Sequence, residues 1–155
     1  MDYIDDNRMG PQPFDALKLD QQVCFALYAA SRAITKTYRE RLSEVGLTYP
    51  QYLVLLVLWE KDGQAVSELG TQLMLDTGTL TPLLKRLEAM GLVRRVRSMA
   101  DERQVHIHLT RSGLDHKAKA LDARKHVVSR LQMSEDEIKA MRGELMQMVD
   151  QLSRS

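Results

Sequence analysis

The chain has 155 residues and a formal net charge of +1, a size that fits one domain or one small domain with appended helices. Hydrophobic residues make up 44% of the composition and aromatic residues only 5%, so aliphatic and methionine side chains are expected to build the core. No apolar run approaches the ~20 residues of a membrane-spanning helix, and the acidic N-terminus lacks the hydrophobic run of a secretion signal, which predicts a cytoplasmic protein with no membrane partner.

The first predicted elements are a flexible arm and a long helix. Residues 1–16 are predicted to be flexible, because prolines and a glycine interrupt a polar stretch. Residues 17–45 follow a helical pattern, with Asp20 as a candidate N-cap and Gly46 at the end. Within this helix residues 23–30 (VCFALYAA) are apolar nearly all round, which indicates burial on more than one side. Because so small a domain has little interior, a second copy of the chain is expected to cover part of the helix.

Three further helices are predicted in the middle of the chain. Residues 49–59 are nearly all apolar and are expected to form the central core helix. Two short helices follow over residues 66–74 and 76–90, the second capped by Asp76 and ended by Gly91. Two helices this short, joined by a tight turn, are typical of a helix-turn-helix.

The helix at residues 76–90 has two chemically different faces. Its core side carries the four leucines Leu80, Leu83, Leu84 and Leu87. Its opposite side carries small, hydroxyl and basic residues that can lie flat in a DNA major groove, namely Gly78, Thr81, Pro82, Lys85 and Ala89, with Thr79 and Arg86 beside them. Because Pro82 removes a backbone hydrogen bond, a start at Thr81 with Pro82 in first position is an alternative.

A basic hairpin follows the helix-turn-helix. Residues 92–98 and 104–110 alternate in polarity and predict two strands, with a tip at residues 99–102. Residues 85–111 hold seven Lys or Arg against three Asp or Glu, a net charge of +4. A localised basic stripe is expected where a protein contacts phosphates, although a solvated charged face has the same composition. The order of elements predicts a winged helix-turn-helix that binds duplex DNA.

The last two helices are predicted over residues 111–131 and 134–152, the second opened by a Ser134–Glu137 capping box. Apolar residues recur in the second helix at alternating spacings of three and four, at Ile138, Met141, Leu145, Met148 and Leu152. This coiled-coil-like seam is expected to build a homodimer interface together with the first helix. A two-fold dimer would place two DNA-binding units on a palindromic operator, about one helical turn apart.

The predicted fold is mainly α with a small β wing (α+β). A single domain covers residues 17–155, with the winged helix-turn-helix at about residues 47–110. The N- and C-terminal helices, at about residues 17–45 and 111–153, form the dimerisation region.

The order of elements and several motifs resemble those of a known family. The order of elements, with DER at residues 101–103 followed by LT at 109–110, resembles the MarR superfamily of winged-helix repressors. Three longer motifs resemble its organic-hydroperoxide-sensing, OhrR-type branch: LDQQVCFALYAASR (19–32), LTYPQYLVLLVLWE (47–60) and LDTGTLTPLLKRLE (75–88). The resemblance is strong over residues 17–112 and general over the last two helices. It implies a homodimeric DNA-binding repressor that is not an enzyme, of the one-cysteine kind.

Cys24 is the only cysteine, so it can form neither an intramolecular disulfide nor a cysteine-based zinc site. If Asp20 caps the first helix, Cys24 lies near its first turn, where the helix dipole favours the thiolate. Tyr28, four residues on, can direct its hydroxyl towards the sulfur. Tyr38 lies about 21 Å further along the helix and cannot reach its own Cys24, but the resemblance implies that it reaches the partner's. The alternative is a small buried cysteine with tyrosines that serve packing.

The resemblance implies that the protein senses organic hydroperoxides. A peroxide would oxidise the Cys24 thiolate to sulfenic acid. Without a resolving cysteine, the sulfenic acid would react with an external low-molecular-weight thiol or oxidise further. The larger adduct would repack the first helix against its partner and release the operator. No cofactor is required.

On the DNA side the resemblance and the charge pattern assign similar roles. The residues expected to enter the major groove are Thr77, Thr79, Thr81 and Lys85, with Arg86 beside them. The wing arginines Arg95, Arg97 and Arg103 are expected to contact the DNA backbone or minor groove. Asp101 is expected to orient a wing arginine, or else to serve only as a turn residue.

Two other functions and a metal site are alternatives to this one. A MarR-type repressor could instead be relieved by a non-covalent phenolic ligand, bound between the first two helices. A thiol peroxidase that uses Cys24 is disfavoured, because turnover needs a resolving thiol. A metal site at His106 and His108 is disfavoured, because no carboxylate or cysteine partner accompanies them.

Overall fold

A computed structural model of the protein describes residues 13–154. The described residues divide into two compact units, one that ends at Lys36 and one that begins at Thr37. Residues 1–12 of the predicted flexible arm lie outside the described residues, while its last residues begin a 3₁₀ turn at Asp15–Leu17. The flexibility of the arm stays a prediction.

The first unit contains two 3₁₀ turns, Asp15–Leu17 and Leu19–Gln21, and most of helix α1, Val23–Leu42. The predicted start of this helix at residue 17 is wrong, because α1 begins six residues later. The predicted N-cap is also wrong, since Asp20 lies inside the second 3₁₀ turn.

Gln22 accounts for the late start of α1. Its backbone is extended, with a ψ of 105°, which a continuous helix does not allow. Its side-chain amide donates hydrogen bonds to the carbonyl of Ala16 at 2.5 Å and to that of Lys18 at 3.0 Å. The Gln22 side chain thus donates to carbonyl oxygens that main-chain N–H groups would bind in a continuous helix. Regular helical geometry therefore begins only after Gln22.

Helix α1 ends in the second unit, where a 3₁₀ turn at Ser43–Val45 leads to Gly46. Gly46 has a φ of 73°, in the left-handed region that glycine adopts without steric cost. The N–H of Leu47 donates to the carbonyl of Leu42 at 2.9 Å and closes the turn. The predicted end of the helix at Gly46 is confirmed.

Helix α2, Tyr49–Glu60, is the central core helix, as predicted. A reciprocal capping box opens it. The hydroxyl of Thr48 accepts the N–H of Gln51 at 3.4 Å, and the Gln51 side-chain oxygen accepts the N–H of Thr48 at 3.0 Å. Its most buried apolar residues are Tyr52, Val54, Leu55 and Leu58.

Helices α3, Val66–Leu73, and α4, Thr77–Ala89, form the predicted helix-turn-helix. The carboxylate of Asp76 accepts the N–H of Thr79 at 2.6 Å, which confirms the predicted cap. The four leucines predicted to face the core do so. Leu80, Leu84 and Leu87 are no more than 1% exposed, and Leu83 packs against them.

Helix α4 continues through Pro82, so the alternative start at Thr81 is wrong. Pro82 has no N–H to donate to the carbonyl of Gly78, which costs the helix one hydrogen bond. The hydroxyl of Thr81 donates to the carbonyl of Thr77 at 2.8 Å, an additional bond across the first turn. Burial of the leucines on the other side of α4 offsets the missing bond.

The sheet has three antiparallel strands in the order β1-β3-β2: Gln64–Ala65, Val105–Leu109 and Val93–Arg97. Strands β2 and β3 are the predicted wing, each shorter than predicted at both ends. Strand β1 was not predicted from the sequence. It has only two residues and forms by pairing with β3, where Gln64 lies opposite Ile107.

Helices α5, Arg111–Leu131, and α6, Glu135–Ser153, agree with the prediction to within a residue. The Ser134–Glu137 capping box is present. The guanidinium of Arg124 binds both carboxylate oxygens of Glu135, at 2.9 and 2.8 Å, and joins the two helices.

Helix α6 leaves much of its predicted apolar seam exposed, with Met141 at 50% and Leu152 at 74%. Neither this helix nor any other within residues 13–154 is long and apolar enough to cross a membrane.

Two helical glycines allow a matched test of packing between α5 and the wing. A Cβ at Gly113 would lie 2.1 Å from the main-chain oxygen of Leu92, whereas a Cβ at Gly143 in α6 would meet nothing within 4 Å. Gly113→Ala is therefore expected to lower the free energy of unfolding by at least about 2 kcal/mol. Gly143→Ala is expected to raise it by up to about 1 kcal/mol, because alanine favours a helix. Urea unfolding followed by Trp59 fluorescence measures both free energies. An unchanged free energy of unfolding in Gly113→Ala would contradict the close packing of Gly113 against Leu92.

Candidate DNA interface and thiol site

The exposed face of α4 holds the residues predicted to enter the major groove. Thr77, Thr79, Lys85 and Arg86 are exposed, and Thr81 is half-buried. The hydrogen bond from the N–H of Thr79 lowers the pKa of Asp76, which keeps the cap ionised and α4 fixed at its first turn. The hydroxyl proton of Thr81 is used inside the helix, which leaves that oxygen as an acceptor.

The wing tip is organised by hydrogen bonds to its own main chain. The guanidinium of Arg97 donates to the carbonyl of Glu102 at 2.9 Å. The carboxylate of Asp101 accepts the main-chain N–H of Arg103 at 3.1 Å. Asp101 therefore acts here as a turn residue, one of the two roles considered for it, and its orientation of an arginine side chain stays a prediction. Arg103 itself is exposed.

The base of the wing is joined to the end of α4. The carboxylate of Glu88 accepts the main-chain N–H of Arg95 at 2.8 Å and its Nε–H at 3.1 Å. The main-chain bond, followed by the side-chain bond, lowers the pKa of Glu88, so the carboxylate is ionised at neutral pH. Arg95, predicted to contact DNA, thus has a carboxylate partner within its own chain.

Cys24 is the second residue of α1 and is exposed in the single chain. The predicted position in the first turn is confirmed, although α1 begins without the predicted cap. Among the described residues, the partner of the thiol is the side-chain oxygen of Gln22, at 4.0 Å. The first turn of a helix has main-chain N–H groups with no helical acceptor, and Cys24 lies among them.

Tyr28 lies on α1 with an exposed ring, beneath the guanidinium of Arg32 at 5.5 Å from the ring centroid. This stacking orients the ring through a cation–π contact. The predicted approach of the Tyr28 hydroxyl to Cys24 stays a prediction.

Tyr38 belongs to a cluster of three tyrosines in the second unit. Its ring centroid lies 5.1 Å from that of Tyr49 and 5.2 Å from that of Tyr52, while the last two are 5.9 Å apart. Burial, followed by the proximity of Tyr38, raises the pKa of Tyr49. Burial also raises the pKa of Tyr52 far above its usual range, and a hydrogen bond with Tyr38 adds to the effect. The phenols of Tyr49 and Tyr52 are therefore protonated at neutral pH.

The sequence prediction included Tyr38 but missed Tyr49 and Tyr52. The two are three residues apart on α2, a spacing that places them on one side of a helix. They fall in the nearly continuous apolar run of that helix, where aromatic residues are expected simply to pack.

A cavity of about 490 Å³ lies between α2 and α5. Its walls are mostly apolar, formed by Leu56, Trp59 and Leu121 among others, and the charged side chains of Glu60, Lys117 and Arg124 also line it. Arg124 is paired with Glu135. The predicted ligand pocket lay between the first two helices, so this cavity differs from it in place. Its lining suits a small aromatic or aliphatic molecule with a polar group.

The histidines of β3 are used within the fold. The Nδ1 atom of His106 lies 3.1 Å from the carbonyl oxygen of Gly63, and a Cβ at Gly63 would meet the ring of His108 at 3.1 Å. Within residues 13–154, no three His, Cys, Asp or Glu side chains are grouped so that they could hold a metal ion.

Residues 36–120 match the protein family described as transcriptional regulator SarA/Rot. The chain is 53% identical over 139 residues to the HTH-type transcriptional regulator TtmR of Methylorubrum extorquens (strain PA1), covering 89% of this chain and 71% of that protein. It is 45% identical over 139 residues to the organic hydroperoxide resistance transcriptional regulator of Bacillus subtilis (strain 168), covering 90% and 95%.

Solved structures of AbfR of Staphylococcus epidermidis are similar to this fold. The reduced form bound to DNA superposes with a TM-score of 0.77 at 38% identity, covering 92% of this chain and 100% of the other. A disulfide-formed AbfR superposes with a TM-score of 0.65 at 39% identity, covering 90% and 94%. The described fold is thus one that has been seen on DNA in a protein of related sequence.

The tyrosine cluster predicts how stability depends on alkaline pH. The pKa values of Tyr49 and Tyr52 are raised above the unfolded value of about 10, so the folded state holds these protons more tightly. This contribution is complete below about pH 10 and is lost as the pH rises through the folded values. Tyr52→Phe is expected to reduce the loss of unfolding free energy between about pH 10 and 12. Tyr28→Phe, at an exposed ring, is the control and should follow the wild type; an unchanged Tyr52→Phe profile would contradict the assignment.

Proposed function

The chain belongs to the SarA/Rot, MarR-like family of winged-helix transcriptional regulators, which bind DNA, and on that premise we propose a redox-switched repressor. Organic hydroperoxides would oxidise Cys24, and the oxidised protein would release its operator. The observation that carries the proposal is the position of Cys24, exposed in the first turn of α1. The likeness to a regulator of organic hydroperoxide resistance supports the choice of oxidant.

In the proposed complex α4 lies in the major groove and the wing follows the adjacent backbone. Thr77 and Thr79 would face the bases, with Thr81 as an acceptor. Lys85 would enter the groove and bind a phosphate oxygen along its edge, with Arg86 beside it. From the wing, Arg97 and Arg103 would reach phosphates or the minor groove. Hydroxyl and amine groups of this kind can bond base edges and phosphate oxygens.

We propose that the DNA-binding form is a homodimer acting in the cytoplasm on a palindromic operator. Apolar side chains on α1 and α6 are exposed in the single chain, among them Val23 at 63%, Phe25 at 46% and Leu152 at 74%. Exposed apolar side chains on each of these helices support burial against a second copy of the chain. A two-fold arrangement would present two copies of α4 to successive major grooves.

The proposed chemistry begins with the Cys24 thiolate. The sulfur attacks one peroxide oxygen, the O–O bond breaks, and the other oxygen leaves and is protonated to an alcohol. Sulfur is oxidised by two electrons to sulfenic acid as the peroxide is reduced. Tyr28, and the tyrosine cluster around Tyr38 of the other subunit, would donate hydrogen bonds to the thiolate. The raised pKa values of Tyr49 and Tyr52 support this role, because a donor must keep its proton.

The oxidised sulfur requires an external partner, because Cys24 is the only cysteine. AbfR forms a disulfide, but this chain could form one only with another molecule. A low-molecular-weight thiol would condense with the sulfenic acid, releasing water and leaving a mixed disulfide. That bulky group in the dimer interface would change the separation of the two α4 helices and so release DNA.

The cavity between α2 and α5 supports a second candidate function. A repressor relieved by a small ligand needs a site that can be filled reversibly, and about 490 Å³ is room enough for a phenolic or aromatic acid. Lys117 would receive an anionic group there. This function does not require oxidation of Cys24.

Replacing the sensor sulfur separates the two functions. The DNA probe is a duplex that the wild-type protein selects from a random pool. Cys24→Ser is expected to bind this duplex as tightly as the wild type does, because Cys24 lies outside the proposed DNA interface. It should no longer release that duplex when treated with cumene hydroperoxide and free cysteine. Fluorescence anisotropy measures binding, and intact mass measures the adduct.

Met99→Leu is the matched control, because Met99 is the most exposed of the other sulfurs in the described chain. This variant should still release DNA on oxidation. Release from oxidised Cys24→Ser would rule out the sensor role. Release of the wild type by an aromatic acid under reducing conditions, with Cys24 unmodified, would favour the second function.

Lys85 tests the proposed face of α4. Lys85→Ala is expected to weaken DNA binding and to reduce the slope of log affinity against log salt concentration by about 0.9 per subunit, the value for one lost phosphate contact. Lys139→Ala removes an exposed lysine on α6 and is the matched control, with an unchanged slope expected. Equal slopes for both variants and the wild type would exclude a phosphate contact by Lys85.

A further inference from the structure

Glu88 and Arg95 form the contact by which the wing is fastened to α4. Glu88 lies in the last turn of α4, and Arg95 is the middle residue of β2. Both oxygens of the carboxylate are used, one by the main-chain N–H of Arg95 at 2.8 Å and the other by its Nε–H at 3.1 Å. Because one bond goes to the main chain, the contact holds the strand itself as well as a side chain.

This contact lies just beyond the turn that joins α4 to β2. Gly91 lies between α4 and β2 with a φ of 72°, and a Cβ built there would meet nothing within 4 Å. The turn itself is held by the N–H of Leu92, which donates to the carbonyl of Leu87 at 3.0 Å, and by the hydroxyl of Thr110, which donates to the carbonyl of Gly91 at 2.5 Å. Beyond the buried Val93 the strand is exposed, and the bonds from Arg95 to Glu88 tie this exposed part of β2 to α4.

The ion pair between Glu88 and Arg95 contributes little to the stability of the fold. The side chains of Arg95 and Glu88 are 35% and 38% exposed, and ion pairs so open to solvent contribute little to folding. Their main effect is on geometry, because two hydrogen bonds to one residue fix both its main chain and its guanidinium.

The wing arginines Arg95, Arg97 and Arg103 also differ in whether a carboxylate balances their charge. The charge of Arg95 is balanced by Glu88. Arg97 donates to a neutral carbonyl, so its charge is not balanced by that contact. The guanidinium of Arg103 has no ion-pair partner within residues 13–154. Of the three, Arg95 is the one already committed to a carboxylate.

We propose that Glu88 is a positioning residue of the DNA interface, which sets the wing against α4 through Arg95, and that Arg95 is a structural link rather than a phosphate contact. The inference rests on the proposed use of α4 and the wing in DNA binding. The expected effect of removing the Glu88 carboxylate on DNA affinity is opposite in sign to the effect expected from charge alone. Removing a carboxylate beside a polyanion should strengthen binding, but here its removal frees the wing and weakens binding.

The experiment compares Glu88→Ala, Glu88→Gln, Arg95→Ala and Arg103→Ala on the selected duplex described above. Glu88→Ala is expected to lose roughly 3- to 10-fold in affinity, the effect of losing the hydrogen bonds of one charged group. Glu88→Gln keeps an oxygen that can accept the N–H of Arg95, so it should recover most of that loss. Tighter or unchanged binding by Glu88→Ala would overturn the proposal.

The salt dependence distinguishes a structural link from a phosphate contact. Arg103→Ala should lower the slope of log affinity against log salt by about 0.9 per subunit, while Arg95→Ala should leave the slope unchanged and still weaken binding. An equal loss of slope in both variants would overturn the role given to Arg95. No loss of slope in Arg103→Ala would instead overturn the proposed wing contact. Trp59 fluorescence verifies that each variant is folded at the temperature of measurement.

Discussion

The burial of one face of α4 is the constraint on which the proposed DNA interface depends. Leu80, Leu84 and Leu87 are at most 1% exposed, and burial of one leucine side chain contributes about 1.5–3 kcal/mol. Turning the helix by a single residue would move its surface by about 100° and expose these side chains. The opposite face, with Thr79 and Lys85, is therefore held towards solvent, even though Pro82 interrupts the backbone hydrogen bonds on that side.

The same constraint explains which parts of the fold the sequence could predict. The spacing of the leucines gave the orientation of α4, and the caps at Asp76 and Ser134 gave the starts of two helices, because these signals are local. The start of α1 depended on side-chain bonds from Gln22 to main-chain carbonyls, which a hydrophobic pattern does not show. Strand β1 depended on a neighbour more than forty residues away, Ile107, so no local signal existed.

The candidate site was predictable to a similar degree. The family motifs predicted Cys24 and Tyr38 as site residues. Tyr49 and Tyr52 became apparent only from the packing in the structure, because a tyrosine in an apolar run usually indicates core. Their proximity has a chemical consequence. Burial raises the pKa of both phenols, so they remain hydrogen-bond donors at neutral pH. In the proposed dimer these donors and the Cys24 sulfur would come from different subunits.

Charge counting from the sequence overstates what the wing can offer to DNA. The net charge of +4 over residues 85–111 already subtracts Glu88, but it does not show that Glu88 pairs with Arg95 in particular. It also leaves out Asp115, which lies 3.2 Å from Arg111. Asp115 is outside the counted segment, so the sequence window missed that pair. Arg97, bound to a carbonyl, keeps its full charge in a fixed position. Phosphate attraction at this surface is therefore determined by which cations lack a carboxylate partner, and the placement of those cations depends on the contact that fastens the wing to α4.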